Sequence, residues 1–155
     1  MLRLSAIPLL EANGVTWLIY ALLSAATAAL VSIFGKIGLK DLDANSATAI
    51  RSVIMALFLL GVVVVQGKMT QVGEILTQRR ALTFIVLSGV AGAMSWLFYF
   101  LALKVGKVSQ VGPIDKFSVV IAVILAFLFL GEKISFTGVI GVILIAAGAV
   151  LVAIK

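Results

Sequence analysis

The 155-residue chain is 63% hydrophobic and 12% charged, with a mean hydropathy of +1.29, more apolar material than one soluble core can use. His and Cys are both absent, which excludes disulfides, thiolate or imidazole metal sites, Cys nucleophiles and His-based acid-base catalysis. The formal charge of +6 comes from twelve basic residues dispersed between apolar runs. A nucleic acid would need them on one stripe, so no nucleic acid, metal or cofactor is expected; the lipid bilayer is.

The runs predict an all-α integral membrane protein with five spans. Between Glu11 and Lys36 lie 24 uncharged residues, enough to cross the bilayer core, which takes roughly 20. The first span is therefore placed at 12–35. Its apolar core is too long for a signal peptide, and more spans follow. Trp17 and Tyr20 near its start suit an interfacial belt, and Ala21, Ala25, Ala28 and Ser32 share one face that suits close helix packing. The next run, Ser52 to Gly67, has only 16 residues. Extending it back to residue 44 gives a full span, 44–67, and brings Arg51 into the membrane. Asp43, Asn45 or Ser46 can cap this helix.

After the connection "KMTQVGEILTQRR", the third span covers 81–103, with Ser88, Gly92, Ser95 and Tyr99 on one face. The fourth run, Phe117 to Gly131, is again short at 15 residues, about 23 Å as an α-helix. Extending it to 108–131 places Asp115 and Lys116 inside the membrane. Gly112 and Pro113 predict a kink or interruption just before these charges, since proline removes a donor and crowds the preceding turn; a helix that simply starts at Pro113 is the alternative. Glu132 and Lys133 end this helix, and Ser135 or Thr137 caps the fifth span, 134–154, which carries Gly138, Gly141 and Gly148. The short connections leave room for one five-helix domain over 1–155.

Two patterns bear on function. Five basic residues (Arg3, Lys68, Arg79, Arg80, Lys133) fall on the N-terminal side and five (Lys36, Lys40, Lys104, Lys107, Lys155) on the other. A fixed orientation normally shows a cytoplasmic excess, so the balance predicts insertion both ways up and an antiparallel homodimer, an inverted repeat of two identical chains. One dominant loop would be the simpler alternative. The second pattern is depth. At a rise of about 1.5 Å per residue, Arg51 and Asp115 lie about 7 Å from the midplane, Trp96 about 6 Å and Tyr99 about 10 Å, all displaced to the C-terminal side. Asp115 shares a stripe with Ser118, Ala122 and Ala126, so it is expected to face other helices. Adjacent helical side chains diverge by about 100°, which makes Arg51, not Lys116, the expected partner of Asp115; Lys116 could instead snorkel. Trp96 and Tyr99 could stack on a ligand, or pack and anchor at the interface.

The stretches "KIGLKDLDANSATAIRS" and "LSGVAGAMSWLFYFLALKVGKVSQVGPIDKFSVVIAVILAFLFLGEKIS", with the glycine-rich last span, resemble the five-helix, EamA-like branch of the drug/metabolite transporter superfamily. The likeness covers nearly everything after about residue 15, and its most specific part is "ALKVG" followed by P-x-D-K-x-S and a run ending "LGE". It implies half of a ten-helix inverted-repeat fold, and export or exchange of small organic solutes driven by a gradient across a bacterial-type cell membrane. It also implies that Arg51, Trp96, Pro113, Asp115 and Lys116 are signature positions. Leu101 departs from the basic residue that related chains carry there. The competing reading is an accessory membrane subunit that pairs with another half. A lipid-directed enzyme is disfavoured, because only one acid lies within a span and the usual catalytic dyads are missing.

Overall fold

A computed structural model describes residues 15–154. Residues 12–14 of the first expected span, with Arg3 and Lys155 of the charge count, lie outside them. Among the described residues the secondary structure is helical, and five helices are long and apolar enough to cross a membrane. Helix α1 runs Thr16–Gly38, α2 Ala44–Val65, α3 Met69–Thr77, α4 Arg79–Val105, α5 Val108–Asp115, α6 Phe117–Leu125 and α7 Phe136–Ala153. A π-helical turn, Ala126–Leu130, continues α6, so residues 108–130 form one span in three pieces.

The chain divides into two compact units at Phe34 and Gly35. The first, as described, is the body of α1, in which two hydroxyls bond back within the helix: Thr27 donates to the Leu23 carbonyl at 2.9 Å and Ser32 to that of Ala28 at 3.0 Å. Where no water reaches, such internal bonds are the only route to satisfaction.

In the second unit α2 packs on α4, α7 packs on α5 and α6, and α4 meets α5. Asp43 caps α2 by accepting the Ser46 amide at 2.8 Å, and Ser135 caps α7 by accepting the Gly138 amide at 3.1 Å; both satisfy donors that a helix start leaves open. The α2 face Ala44, Thr48, Arg51 follows the helical repeat, and Ala44 and Thr48 are buried. Their small size lets α2 approach the α4 stripe Trp96, Phe100, Leu103, in which Phe100 and Leu103 are fully buried. Gly35, in the last turn of α1, completes the seat of Phe100. A Cβ there would collide with Phe100 Cε1, so glycine is the residue that fits.

Two features differ from expectation. The segment between spans two and three contains a helix of its own, α3, where a plain connection is expected. Its nine residues are too few to stand out as a helix by length, although Met69, Val72, Ile75 and Leu76 recur at helical spacing. The fourth span is interrupted at Lys116, three residues beyond Pro113. Pro113 lies inside α5 and not at its start, so the helix passes through it, at the loss of one donor, before it ends. The turn is made when the Lys116 amide bonds back to the Pro113 carbonyl at 3.1 Å, an i to i−3 contact that tightens the chain.

Gly35→Leu should destabilise the protein by about 1–3 kcal/mol through overpacking, read from denaturant unfolding in mixed micelles. Gly38→Ala, where a Cβ meets nothing within 4 Å, is the comparison; equal effects would remove Phe100 as the cause. A second expectation concerns acid. The Ser46 amide, helped by the Ser46 hydroxyl and Lys104, holds the Asp43 carboxyl below the usual aspartate value. A folded pKa below the unfolded one gives stability that is present above about pH 3.9 and lost as pH falls through the folded value. Hydrogen exchange of the Ser46 amide should accelerate across that window, and Asp43→Asn, which does not titrate, should flatten the response.

Candidate functional site

Arg51, on α2, projects onto α4. Its Cζ lies 3.2 Å from the centroid of the Phe100 ring and 5.8 Å from that of Trp96. The Trp96 and Phe100 rings are near-parallel, with centroids 5.4 Å apart, while Tyr99 meets both edge-on at 6.0 and 5.3 Å. This cluster follows from spacing alone: residues 96, 99 and 100 sit one turn apart on α4, and Arg51 is one turn beyond Thr48 on the face that α2 turns to α4.

The guanidinium rests on an aromatic platform and meets no carboxylate among the described residues. Its Nη1 is buried without a hydrogen-bond partner there. A cation over a ring is worth about 0.5–2 kcal/mol, whereas an arginine at the middle of a membrane helix costs at least roughly 2.5 kcal/mol. The rings therefore offset only part of the cost, and the positive charge keeps its capacity to attract an anion.

Asp115 does not pair with Arg51. Its ion pair is with Lys116, Oδ2 to Nζ at 3.6 Å, contrary to the expected divergence of neighbouring side chains. The reason is the interruption: Lys116 stands between α5 and α6, its backbone still right-handed but its amide bonded only three residues back, and its long stem can turn back. The Asp115 side chain is 36% exposed and that of Lys116 57%, so the pair is open rather than sealed. Beside it a cleft of about 360 Å³ is lined by Tyr99, Ala102, Gln110, Val111, Ile114 and Asp115, with Ala153 at its edge. Gln110 reaches the Ala153 carbonyl at 3.5 Å, tying α5 to the end of α7. Tyr99 belongs to both features: one ring edge meets the Arg51 platform, and the residue also lines the Asp115 cleft.

Arg51, Trp96 and Tyr99 are thus brought together; Asp115 is joined to them through Tyr99; Lys116 points outward; Gly112 and Pro113 lie within α5, supporting the cleft wall. Phe100 escapes sequence reasoning because a phenylalanine in an apolar run carries no mark, although its i+4 spacing from Trp96 is visible. Gly35 is likewise hidden among small residues. Among the described residues no group of three or more His, Cys, Asp or Glu side chains could hold a metal ion.

The profile of the EamA-like transporter family matches residues 15–154. The chain is 42% identical over 139 residues to an uncharacterized transporter in the cobO 3′ region of a Sinorhizobium species, an alignment covering 90% of this chain and 97% of that one. It is 35% identical over 81 residues to an uncharacterized protein of Methanocaldococcus jannaschii, covering 52% of this chain and 59% of the other. No solved structure matches.

Phe100→Ala should cost about 3–5 kcal/mol, the range for emptying an aromatic core position. Phe98→Ala, on the same helix but 61% exposed, should cost far less in the same micelle unfolding assay. Similar losses would show that the platform does not hold α2 against α4.

Proposed function

Since the chain belongs to the EamA-like transporter family, a family of multi-pass membrane transporters, we propose that it moves small organic solutes by alternating access, as an exporter or exchanger, working as an antiparallel dual-topology homodimer in a bacterial-type cell membrane. The observation that carries this reading is Arg51, a cation within a membrane span whose Nη1 is buried and unpartnered. Intramembrane ions that lack a partner mark solute or ion paths more often than architecture. Arg51 would attract the anionic group of a solute, and Trp96 and Tyr99 would contact its apolar part. Asp115, exposed to the neighbouring cleft, would exchange its weak pairing with Lys116 for a coupling proton or a cationic group. Gly112 and Pro113 would let the cleft wall flex.

The dimer rests on the balanced loop charges; the apolar faces of a single chain leave room for a second one but are equally suited to lipid. Beyond Leu39, Ala44, Phe100, Leu103 and Ala149, few apolar side chains of the described residues are buried. Ten helices from two inverted chains would form an inverted repeat of the kind on which many alternating-access transporters are built, with each chain supplying a single five-helix domain. The second reading, an accessory subunit for a different half-transporter, finds room on the same uncovered faces.

Two measurements separate these readings. Reporters active on only one side of the membrane, fused after Lys155 at low expression, should both be active if the chain inserts both ways. The chain alone in liposomes should then carry solute flux in a screen of amino acids, amines and organic anions. Arg51→Gln should lower that flux at least about tenfold, the loss of one charged contact, and Asp115→Asn should flatten its pH dependence. A single orientation with no flux from the isolated chain would favour the accessory subunit.

A further inference from the structure

The C-terminal side of the second unit carries another site. A cleft of about 440 Å³ is lined by Lys36, Ile37, Lys40, Asp41, Leu103 and Lys104, above the buried Leu39. Its volume falls within the range of about 300–1,000 Å³ usual for ligand clefts. Three lysines line it against one aspartate. Two of them are held in place by backbone: Lys36 Nζ donates to the carbonyls of Leu103 and, at 2.8 Å, Gly106, and Lys104 Nζ donates to the carbonyl of Leu42. Carbonyls orient a lysine without cancelling its charge. Asp43 has its carboxylate on the Ser46 amide and also attracts Lys104, so it offsets part of that lysine's charge and leaves those of Lys36 and Lys40. Lys40 is exposed and carries its charge at the rim.

The depth of the cleft identifies its ligand. It lies where α1 ends, α2 begins and α4 ends, so it sits at the level of the phospholipid headgroups. Its outer wall is apolar: Ile37 is 68% exposed immediately beside the lysines, where a free aqueous anion would gain nothing from it. We propose that this cleft binds the phosphate of an anionic phospholipid, with Lys40 in direct contact, Lys36 and Lys104 supplying a fixed positive field, and Ile37 under the glycerol and first acyl carbons. A zwitterionic lipid brings its own cation towards three lysines and is disfavoured. The site lies apart from the Arg51 cluster and does not depend on what that cluster transports.

The test uses the full chain in a nonionic detergent, with lipid retention measured by native mass spectrometry and stability by tryptophan-monitored thermal unfolding. Phosphatidylglycerol should be retained and should raise the midpoint more than phosphatidylcholine with the same acyl chains; inorganic phosphate should do neither. Lys40→Gln should weaken phosphatidylglycerol retention roughly fivefold, the effect of one lysine at an anionic surface, while Lys40→Arg keeps it. Lys133→Gln, an exposed base in another loop, should leave it unchanged. A lipid-free midpoint equal to the unsubstituted chain's would show that Lys40→Gln is folded. Equal gains from both lipids, a gain reproduced by inorganic phosphate, or undiminished retention in Lys40→Gln would each overturn the proposal.

Discussion

The seat of Phe100 is the contact on which the second unit turns. The ring is fully buried and meets a glycine on α1, a guanidinium on α2 and two aromatic neighbours on its own helix. Each neighbour is constrained by the others: Gly35 must lack a side chain, Ala44 and Thr48 must be small, and Arg51 must lie flat. In a bilayer, apolar association gives little drive between helices, and close van der Waals packing has to supply it. A large ring in a small-residue recess does so while also holding a charge at membrane depth.

Backbone satisfaction is the companion constraint. Helix ends leave carbonyls without partners, and near the hydrocarbon each such group is costly. Here lysines from other elements meet them. Lys36 closes the end of α4, and Lys104 reaches the loop ahead of α2, where Asp41 adopts a left-handed conformation with φ of 62° that aspartate tolerates better than most residues. Positive charge at a helix C-terminus is also favoured by the helix dipole. The same residues thus finish two helices and make that face of the protein basic.

Much of this was legible in the sequence because hydropathy and capping are local. The five spans lie within a few residues of their expected bounds once two short charge-free runs are extended, one through Arg51 and the other through Asp115 and Lys116, and Asp43 and Ser135 stand where side-chain acceptors begin helices. The co-location of Arg51 with Trp96 and Tyr99 followed from depth arithmetic on separate helices. Depth says nothing about azimuth, however. Opposite charges at one level pair Arg51 with Asp115 on depth alone, yet α2 turns the guanidinium towards the rings of α4. The Asp115–Lys116 pair is not legible in a pattern that runs one helix through residue 116, because the tighter turn there changes which neighbours can meet. The π-helical turn at Ala126–Leu130 has no sequence mark at all, since its residues are ordinary apolar ones.

The link between α4 and α5 consists of Gly106 and Lys107 alone. Gly106 is so close to Val111 and the Ala102 carbonyl that a Cβ there would lie 2.9 and 3.0 Å from them, and Lys36 binds its carbonyl from the side. So short and occupied a connection leaves the two spans no independent choice during biogenesis. They must enter the bilayer together as a helical hairpin, and whichever way up the chain is inserted, that choice is made once for both.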